Sequence, residues 1–533
     1  MIKATISFIL GVCAALLPLK AIAAEKITFN FSPFGEFHLK VDDLETFVET
    51  GEISSELAYY LNRLPPKQLK RLPELLSTPL EFNPLSIANF SNSTVGETVI
   101  KNFGKGIRSS TNRNGFLALR GAIIAAAFDE NGLTVINLLH QFPLETIYVD
   151  FDIVERYIKQ GKKIFEDREL INELFFNENL SKNTLPNKDI QKPSQLGKYS
   201  WQKEIYSYNN TRRSKLGYFD LYLPKKEHPP LVVISHGLAS SRQTFVYLGE
   251  HLASHGFAVA IVEHDDINLT KFDGFLSGSE RFPEANNLIE QPLDIKYVLD
   301  KLEKFSANSS LPNKINLQQV GVIGHSFGGY TSLVLAGGKL IADPQAKKCQ
   351  TEDYQNVLLD LSSLAECTFN EFSTADYQLK DSRVKAVISI NAMGGIFGKA
   401  GISSVDIPTM FISGTNDIIM PPVAEQIKPF SWISEDIDKY LVLVKPGTHF
   451  SFLREGLGVL PVPDGVVGIS PTQAYPVINT LATLFFQAHL NGQESDRAYL
   501  QSDNFVLQNN SSFQLSIVRS TANFQLQELL ENY

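Results

Sequence analysis

The sequence has few cysteines and no concentration of positive charge. Its 533 residues include three cysteines, and 48 lysines and arginines stand against 58 aspartates and glutamates, for a formal net charge of −10. Nucleic-acid-binding proteins need clustered Lys and Arg for their phosphate contacts, so the lack of a basic block argues against a nucleic-acid partner. No C-x-x-C pair occurs, which excludes a zinc ribbon or a thioredoxin-type site.

Long apolar runs are also missing beyond the N-terminus. No later segment reaches 18 continuous apolar residues, so we expect no integral membrane span in the mature chain. The N-terminus itself combines Lys3, the apolar run Ala4 to Leu17 and the small-x-small pattern of residues 21–23. This pattern predicts a signal peptide over residues 1–24 and an exported protein, periplasmic or secreted. A retained anchor is the alternative, which Pro18 and Lys20 disfavour by interrupting the run.

Two cysteines remain in the predicted mature chain. Cys349 and Cys367 form an even pair in an exported protein, which suits a disulfide closing a short loop. Two unpaired cysteines are the alternative reading.

The pattern of apolar residues changes near residue 195. Residues 25–195 carry helical spacing, as in Ser54 to Leu61, Pro66 to Leu76 and the Ala-rich run Gly115 to Phe128. Residues 196–497 alternate short Val- and Ile-rich runs with helix-like segments, which is typical of an α/β fold with a doubly wound, mostly parallel sheet. We predict an insertion over 340–382, after the G-x-S-x-G motif at residues 324–328 and the helix that follows it. We also predict a C-terminal tail over 498–533 that packs back on the rest of the protein.

Six apolar runs are the predicted strands of the parallel sheet. Their near-continuous apolarity indicates that both faces of the sheet are covered by helices. The runs are Leu231 to Ser235, Ala258 to Glu263, Val320 to Gly324, Val384 to Ile390, Thr409 to Ser413 and Tyr440 to Val444. An alternating run, Tyr218 to Leu223, predicts an antiparallel edge pair with Trp201 to Tyr208.

The strongest motif is G-x-S-x-G at residues 324–328. It follows a predicted strand and precedes a predicted helix, which is the context that a nucleophile at Ser326 requires. Gly324 and Gly328 flank the serine because the tight turn tolerates no bulky neighbour there. The N-terminus of the next helix adds partial positive charge where an oxyanion would form.

A serine hydroxyl needs a base and an orienting acid, which in this fold follow it in the order acid, then histidine. Two histidines follow Ser326 in the chain. His449 lies in a loop just after a predicted strand and is the predicted base, whereas His489 lies in a helical pattern typical of a packed or capping histidine. Asp417 follows another predicted strand and is the predicted acid, with a solvated turn carboxylate as the alternative.

The oxyanion hole is expected to use two main-chain amides. One is that of Phe327, after the nucleophile, and the other is that of Leu238, in the His236-Gly237-Leu238 segment that follows a predicted strand. Gly237 lets the backbone approach the substrate, and His236 is expected to brace the loop.

Cofactor-binding patterns are missing. The sequence has no G-x-G-x-x-G, P-loop or H-E-x-x-H, so we predict no cofactor and no metal. The segment His264-Asp265-Asp266 could be read as a metal site, but polarity near the rim of the active site is the favoured reading.

Together these segments are similar to a known family. The HGL, VEHDD and GHSFGG segments resemble the secreted platelet-activating factor acetylhydrolases and their bacterial relatives, which are grouped with dienelactone-hydrolase-like and polyester-hydrolase-like enzymes. The resemblance covers roughly residues 200–490. The preceding region resembles the helical N-terminal domain of a set of exported bacterial α/β-hydrolases. In the acetylhydrolases the acid follows the sixth strand, where this chain has Asn391, and this departure favours Asp417.

The sequence therefore predicts a serine carboxylester hydrolase that acts on a small-molecule or lipid ester through Ser326, His449 and Asp417. A serine peptidase or amidase is an alternative because the same triad cleaves amides. A catalytically silent envelope binding protein is a second alternative. The oligomeric state and the acyl-chain length are not predicted.

Overall fold

The protein packs as two compact units, residues 1–158 and 159–533. The structure is a computed structural model, and it describes residues 23–31, 35–80, 82–176, 191–211, 215–281, 286–307, 315–341, 349–350, 361–368, 377–454, 467–500 and 512–532. All but the last two residues of the predicted signal peptide lie outside this part of the chain.

The strands are numbered in chain order. They are β1 Lys26–Phe31, β2 Gly35–Lys40, β3 Ile107–Arg108, β4 Thr146–Val149, β5 Trp201–Asn210, β6 Lys215–Pro224, β7 Pro230–Ser235, β8 Ala258–Val262, β9 Asn316–His325, β10 Val384–Ile390, β11 Thr409–Gly414, β12 Lys439–Lys445 and β13 Gln514–Val518.

The helices are numbered in the same way. They are α1 Val41–Thr50, α2 Ser55–Leu61, α3 Pro66–Ser77, α4 Pro84–Ser91, α5 Thr94–Gly106, α6 Phe116–Phe128, α7 Val135–His140, α8 Phe151–Phe176, α9 Gln191–Ser194, α10 Val246–Ser254, α11 Leu269–Leu276, α12 Asn287–Ala307, α13 Phe327–Leu335, α14 Leu361–Thr368, α15 Gly398–Ile402, α16 Lys428–Trp432, α17 Tyr475–Leu490, α18 Glu494–Leu500 and α19 Phe524–Asn532.

A nine-stranded sheet organises the second unit, in the order β13-β12-β11-β10-β9-β7-β8-β6-β5. The six strands from β12 to β8 run parallel to one another, while β6 pairs antiparallel with β8 and β5, and β13 pairs antiparallel with β12. All six predicted parallel strands and the predicted antiparallel edge pair are present. The prediction of a doubly wound, mostly parallel α/β sheet is confirmed.

Both faces of this sheet are buried, as the apolar runs predicted. Along β7, Leu231 and Val233 pack into one apolar core, while Val232 and Ile234 pack into the other. Successive side chains of a strand point to opposite faces, so a fully apolar strand supplies both layers at once. Parallel strands also place their carboxyl ends at one edge of the sheet, and that edge carries the candidate site.

The first unit contains a sheet that the sequence analysis did not predict. Its four strands run in the order β2-β1-β4-β3, with β1 and β4 parallel. The three helices predicted in this region are present as α2, α3 and α6. Helix α6 buries Leu119 and Ala122 but leaves Leu117 and Phe128 exposed, so it is covered on one face and not all round. The reading of this region as mainly helical is therefore incomplete.

The unit boundary lies earlier in the chain than the predicted domain limit at residue 195. It falls within α8, whose later residues Ile171 and Phe175 are buried in the core of the second unit. Within the region predicted as a tail, β13 adds an edge strand to the large sheet. Among the described residues, no helix combines the length and apolar content needed to cross a membrane.

Candidate active site

Ser326 lies at a sharp turn between β9 and α13. Its backbone dihedrals, φ 55° and ψ −118°, lie in a region that a non-glycine residue adopts only at a cost of roughly 1–3 kcal/mol. The Ser326 N–H donates to the oxygen of Ile390 on the neighbouring strand at 2.8 Å, which holds the turn. The strand, turn and helix that the G-x-S-x-G motif requires are therefore all present around Ser326.

The two flanking glycines are required by close backbone contacts. A Cβ atom at Gly324 would lie 1.8 Å from the oxygen of Gly328. A Cβ atom at Gly328 would lie 2.1 Å from the oxygen of Ser235, the last residue of β7. Any side chain at either position would push the turn away from the sheet, which is why the motif has glycine there.

His449 and Asp417 meet at the carboxyl edge of the sheet. His449 follows β12 and Asp417 follows β11, and the distance between His449 Nδ1 and Asp417 Oδ2 is 2.8 Å. The carboxylate is buried, and its other oxygen accepts hydrogen bonds from the amides of Ile419 and Met420 at 2.9 and 2.8 Å. Because Nδ1–H donates to the carboxylate, Nε2 is the imidazole nitrogen left to accept a proton.

The loop of His449 is held by the side chains of His325 and Asn391, which the sequence analysis did not assign to the site. His325 Nε2 donates to the carbonyl oxygen of His449 at 2.9 Å. Burial, together with the neighbouring His449, lowers the pKa of His325 to about 3, so its ring stays neutral. Asn391 donates through Nδ2 to the oxygen of Thr448 at 3.0 Å and accepts from the amide of Gly414 at 2.9 Å. Asn391 thus connects the loops that carry Asp417 and His449.

The sequence contains one signal for these two residues. Each lies at the carboxyl end of a buried parallel strand, where side chains converge. Asn391, with φ 44°, follows β10, while His325 is the last residue of β9. Their hydrogen-bond partners come from other loops, so the partners follow only from the three-dimensional arrangement.

The predicted oxyanion loop, residues 236–238, lies against Ser326. A Cβ atom at Gly237 would lie 2.9 Å from Ser326 Cβ and 3.5 Å from the amide nitrogen of Phe327. Within the described part of the chain, neither the Phe327 amide nor the Leu238 amide donates a hydrogen bond to a protein group. Leu238 is partly exposed, and His236 is fully buried beneath the loop. Burial lowers the pKa of His236 to about 4, and its Nδ1 donates to the Gly237 oxygen at 2.9 Å.

The remaining histidines of the sequence analysis lie in packed surroundings. His489 lies against Tyr440, with its Nε2 3.2 Å from the tyrosine hydroxyl. His264 contacts Asp294 through Nδ1 at 3.0 Å. Among the described residues, no group of three or more His, Cys, Asp and Glu side chains is placed to hold a metal ion.

The structure pairs the two cysteines of the predicted mature chain. Cys349 and Cys367 form a disulfide, with their Cα atoms 5.5 Å apart. Of the predicted insertion over 340–382, the described part comprises residues 340–341, 349–350, 361–368 and 377–382. Cys367 lies on α14, so the bond connects that helix to Cys349.

The strand order and the serine turn define this protein as an α/β-hydrolase in fold. Comparison with family models agrees, since residues 23–150 match a family described as "Alpha/beta hydrolase of unknown function". Residues 183–272 match the family "Platelet-activating factor acetylhydrolase, isoform II". The resemblance inferred from the HGL and VEHDD segments is confirmed.

Curated proteins with similar sequences include platelet-activating factor acetylhydrolases and a cutinase. The chain is 30% identical over 146 residues to a platelet-activating factor acetylhydrolase of Bos taurus, covering 21% of this chain and 33% of that protein. A Canis lupus familiaris protein of the same name is 29% identical over 20% of this chain and 32% of its own length. Cutinase est1 of Thermobifida alba is 27% identical over 25% of this chain and 40% of its own length. The matches therefore span between about a third and two fifths of the length of these relatives.

Proposed function

We propose that this protein is a serine carboxylester hydrolase in which Ser326 is the nucleophile, His449 the base and Asp417 the acid. The observation that carries the proposal is the 2.8 Å contact between His449 Nδ1 and Asp417 Oδ2, at the same sheet edge as the strained turn of Ser326. The names of the relatives, an acetylhydrolase and a cutinase, are those of ester hydrolases and support this choice of substrate class.

The proposed reaction has two halves. Ser326 Oγ attacks the ester carbonyl carbon while His449 Nε2 takes the hydroxyl proton, and the amides of Phe327 and Leu238 stabilise the negative charge on the carbonyl oxygen. His449 then gives the proton to the departing alcohol, which leaves an acyl group on Ser326. In the second half, water loses a proton to His449 and attacks the acyl carbon, which releases the carboxylic acid and restores Ser326.

Asp417 serves this cycle without itself taking the proton. Its carboxylate holds the imidazole in the tautomer with Nδ1–H and balances the positive charge that His449 gains in each half. The two amides that donate to its other oxygen keep that carboxylate oriented. Water and the chain's own residues are the only reactants besides the ester.

The compartment is part of the proposal. The N-terminal pattern of residues 1–24 supports export to the periplasm or the medium. An exported hydrolase would meet small-molecule or lipid esters outside the cytoplasm, and the length of the acyl chain is what the first assay should measure.

The test is hydrolysis of p-nitrophenyl esters from acetate to palmitate by the full-length protein. We expect turnover on at least one chain length, and loss of turnover in Ser326→Ala with an unchanged melting temperature. Ser332→Ala is the matched control, because Ser332 is a buried serine on the same turn-and-helix segment that donates to the Gly329 oxygen. It should keep its activity.

A fluorophosphonate probe gives an independent readout. It labels only an activated serine, so we expect labelling of the wild type and of Ser332→Ala but not of Ser326→Ala. Full activity in Ser326→Ala would refute the assignment. Turnover of peptide anilides without turnover of phenyl esters would favour an amidase.

A further inference from the structure

A second Ser-His-Asp chain lies beneath the candidate active site. His264, just after β8, places Nε2 2.9 Å from the hydroxyl of Ser235 and Nδ1 3.0 Å from Asp294 Oδ2. The other oxygen of Asp294 accepts from Asn210 Nδ2 at 3.0 Å. Since the carboxylate accepts from Nδ1–H, the Ser235 hydroxyl donates to Nε2. The atoms are connected in the order proposed for Asp417, His449 and Ser326.

Burial excludes this chain from attacking a substrate. Ser235 has no exposed surface, and His264 and Asp294 are each 1% exposed. Ser235 lies within β7 in regular pairing with Gly324 and Val262, and it lacks the positive φ of Ser326. A hydroxyl enclosed in this way cannot reach an ester, so the chain must act through the structure around it.

The chain is connected directly to the oxyanion loop. Ser235 immediately precedes His236, Gly237 and Leu238. The main-chain N–H of His264 donates to His236 Nε2 at 3.0 Å, and His236 Nδ1 donates to the Gly237 oxygen. His264 thus holds two groups. Its side chain bonds the Ser235 hydroxyl at the end of β7, and its main-chain N–H bonds the His236 ring beneath Gly237.

Helix α12 holds the same loop at a second point. It carries Asp294 and, one turn earlier, Gln291, whose Nε2 donates to the main-chain oxygen of His236 at 3.1 Å. The oxygen of Gln291 accepts from the hydroxyl of Thr331 on α13, the helix that begins after the nucleophile. The loop is therefore joined by buried hydrogen bonds to both helices that flank it.

We propose that the Ser235–His264–Asp294 chain positions the oxyanion loop, holding the Leu238 amide where it can stabilise the charged oxygen. Its kinetic consequence rests on the proposed esterase function. An oxyanion donor acts in the transition state and adds little to binding of the neutral ester, so loosening the loop should lower kcat and spare KM. A misplaced catalytic group can cost on the order of 100-fold in rate.

The experiment compares Ser235→Ala, His264→Phe and the double variant on the best p-nitrophenyl ester. We expect each single variant to lose roughly 10- to 100-fold in kcat, with KM within about twofold of the wild type. If the two residues act through one chain, the double variant should be no slower than His264→Phe. Ser235→Ala removes a single oxygen, so it carries the test even where His264→Phe fails to fold.

The matched control is His251→Phe. His251 is also a buried histidine, with Nε2 2.9 Å from the Pro193 oxygen and 3.1 Å from the Thr483 hydroxyl, but it has no bond to the oxyanion loop. It should lower the melting temperature and keep kcat within about twofold. The proposal is overturned if the Ser235 and His264 variants lose no more kcat than this control, or if their separate losses multiply in the double variant.

A second readout needs no activity. Hydrogen exchange followed by mass spectrometry should show faster amide exchange over residues 236–239 in Ser235→Ala than in His251→Phe. A wild type without turnover or probe labelling would refute the esterase proposal, yet this exchange difference would still support the positioning role. An active wild type without the difference in exchange or in kcat would refute the positioning role alone.

Discussion

The contact between Asp417 and His449 depends on which atom of residue 417 faces the imidazole. Asp417 uses one oxygen for two main-chain amides and the other for His449 Nδ1. An asparagine could still accept from the amides with its oxygen, but it would then present an NH₂ group to Nδ1. The imidazole would have to move its proton to Nε2, where it could no longer act as a base.

We therefore expect Asp417→Asn to lower kcat by roughly 10³- to 10⁴-fold with little change in melting temperature. Ester hydrolysis and thermal unfolding of the purified variant measure the two effects. Asp381→Asn is the control, since Asp381 is a buried aspartate that bonds Arg383 at 2.8 and 2.6 Å. It should lose stability and keep kcat. Residual activity above a tenth in Asp417→Asn would contradict the role of Asp417.

Residues next to a strand end were the ones that sequence patterns could identify. Ser326, Asp417 and His449 each follow an apolar run, and each has a residue type that suits its proposed task. The supporting residues were harder to find. Asn391 looked like a missing carboxylate, and only the contacts with Thr448 and Gly414 reveal its role as a tie between loops. A hydrogen bond between distant loops leaves no periodic trace in a sequence.

The turn at Ser326 depends on the space between neighbouring elements as well as on its own residues. Gly328 approaches the end of β7 so closely that a Cβ atom would also lie 2.9 Å from the oxygen of His236. The oxygens of Ser235 and His236, which this Cβ atom would approach, both belong to the main chain. The clash could be relieved only by a shift of α13 or of the oxyanion loop.

Gly328→Ala should consequently lower ester hydrolysis at least 100-fold and slow fluorophosphonate labelling, because the shift misplaces both Ser326 and the oxyanion amides. The comparison is Gly121→Ala within α6, where a Cβ atom meets nothing within 4 Å. That change should leave activity intact and stabilise the helix by roughly 0.5–1 kcal/mol, measured by urea unfolding. Normal labelling kinetics in Gly328→Ala would show that the turn has more room than the structure indicates.

Elements of the two units differed in how far the sequence predicted them. Strands such as β7 and β10 are continuous apolar runs because both faces are buried, and this composition is distinctive. Strands β1 and β4 are short, partly exposed and pair in parallel across more than a hundred residues. A pairing over that separation depends on the packing of the intervening helices, so no local sequence pattern predicted the four-stranded sheet of the first unit.

At the scale of the whole molecule, the division between compact units lies earlier in the chain than the change of apolar pattern near residue 195. This division falls within the 26-residue helix α8. Its later turns bury Ile171 and Phe175 in the second unit because they belong to an apolar face, and burial decides which unit a helix joins.

Four histidines of the second unit, His236, His251, His325 and His489, have pKa values of about 3 or 4. In all four the largest cause of the lowered pKa is burial, which penalises the charged ring. The pKa is about 4 for His236 and His489, and about 3 for His251 and His325. In the unfolded chain each would titrate near 6.5. Between these values the unfolded state binds more protons than the folded state, so the free energy of unfolding falls as the pH is lowered from about 7 toward 4.

A pair of variants isolates this effect from the titration of carboxylates. At pH 5.5 each of these four histidines should cost about 1.4 kcal/mol of stability relative to pH 7.5, since one pH unit below the unfolded pKa is worth about that much. In His251→Gln, the difference in urea-unfolding free energy between the two pH values should shrink by about that amount. His228→Gln removes a solvent-exposed histidine and should leave the difference unchanged. Equal pH differences in the two variants would mean that His251 is protonated in the folded protein, contrary to the lowering of its pKa by burial.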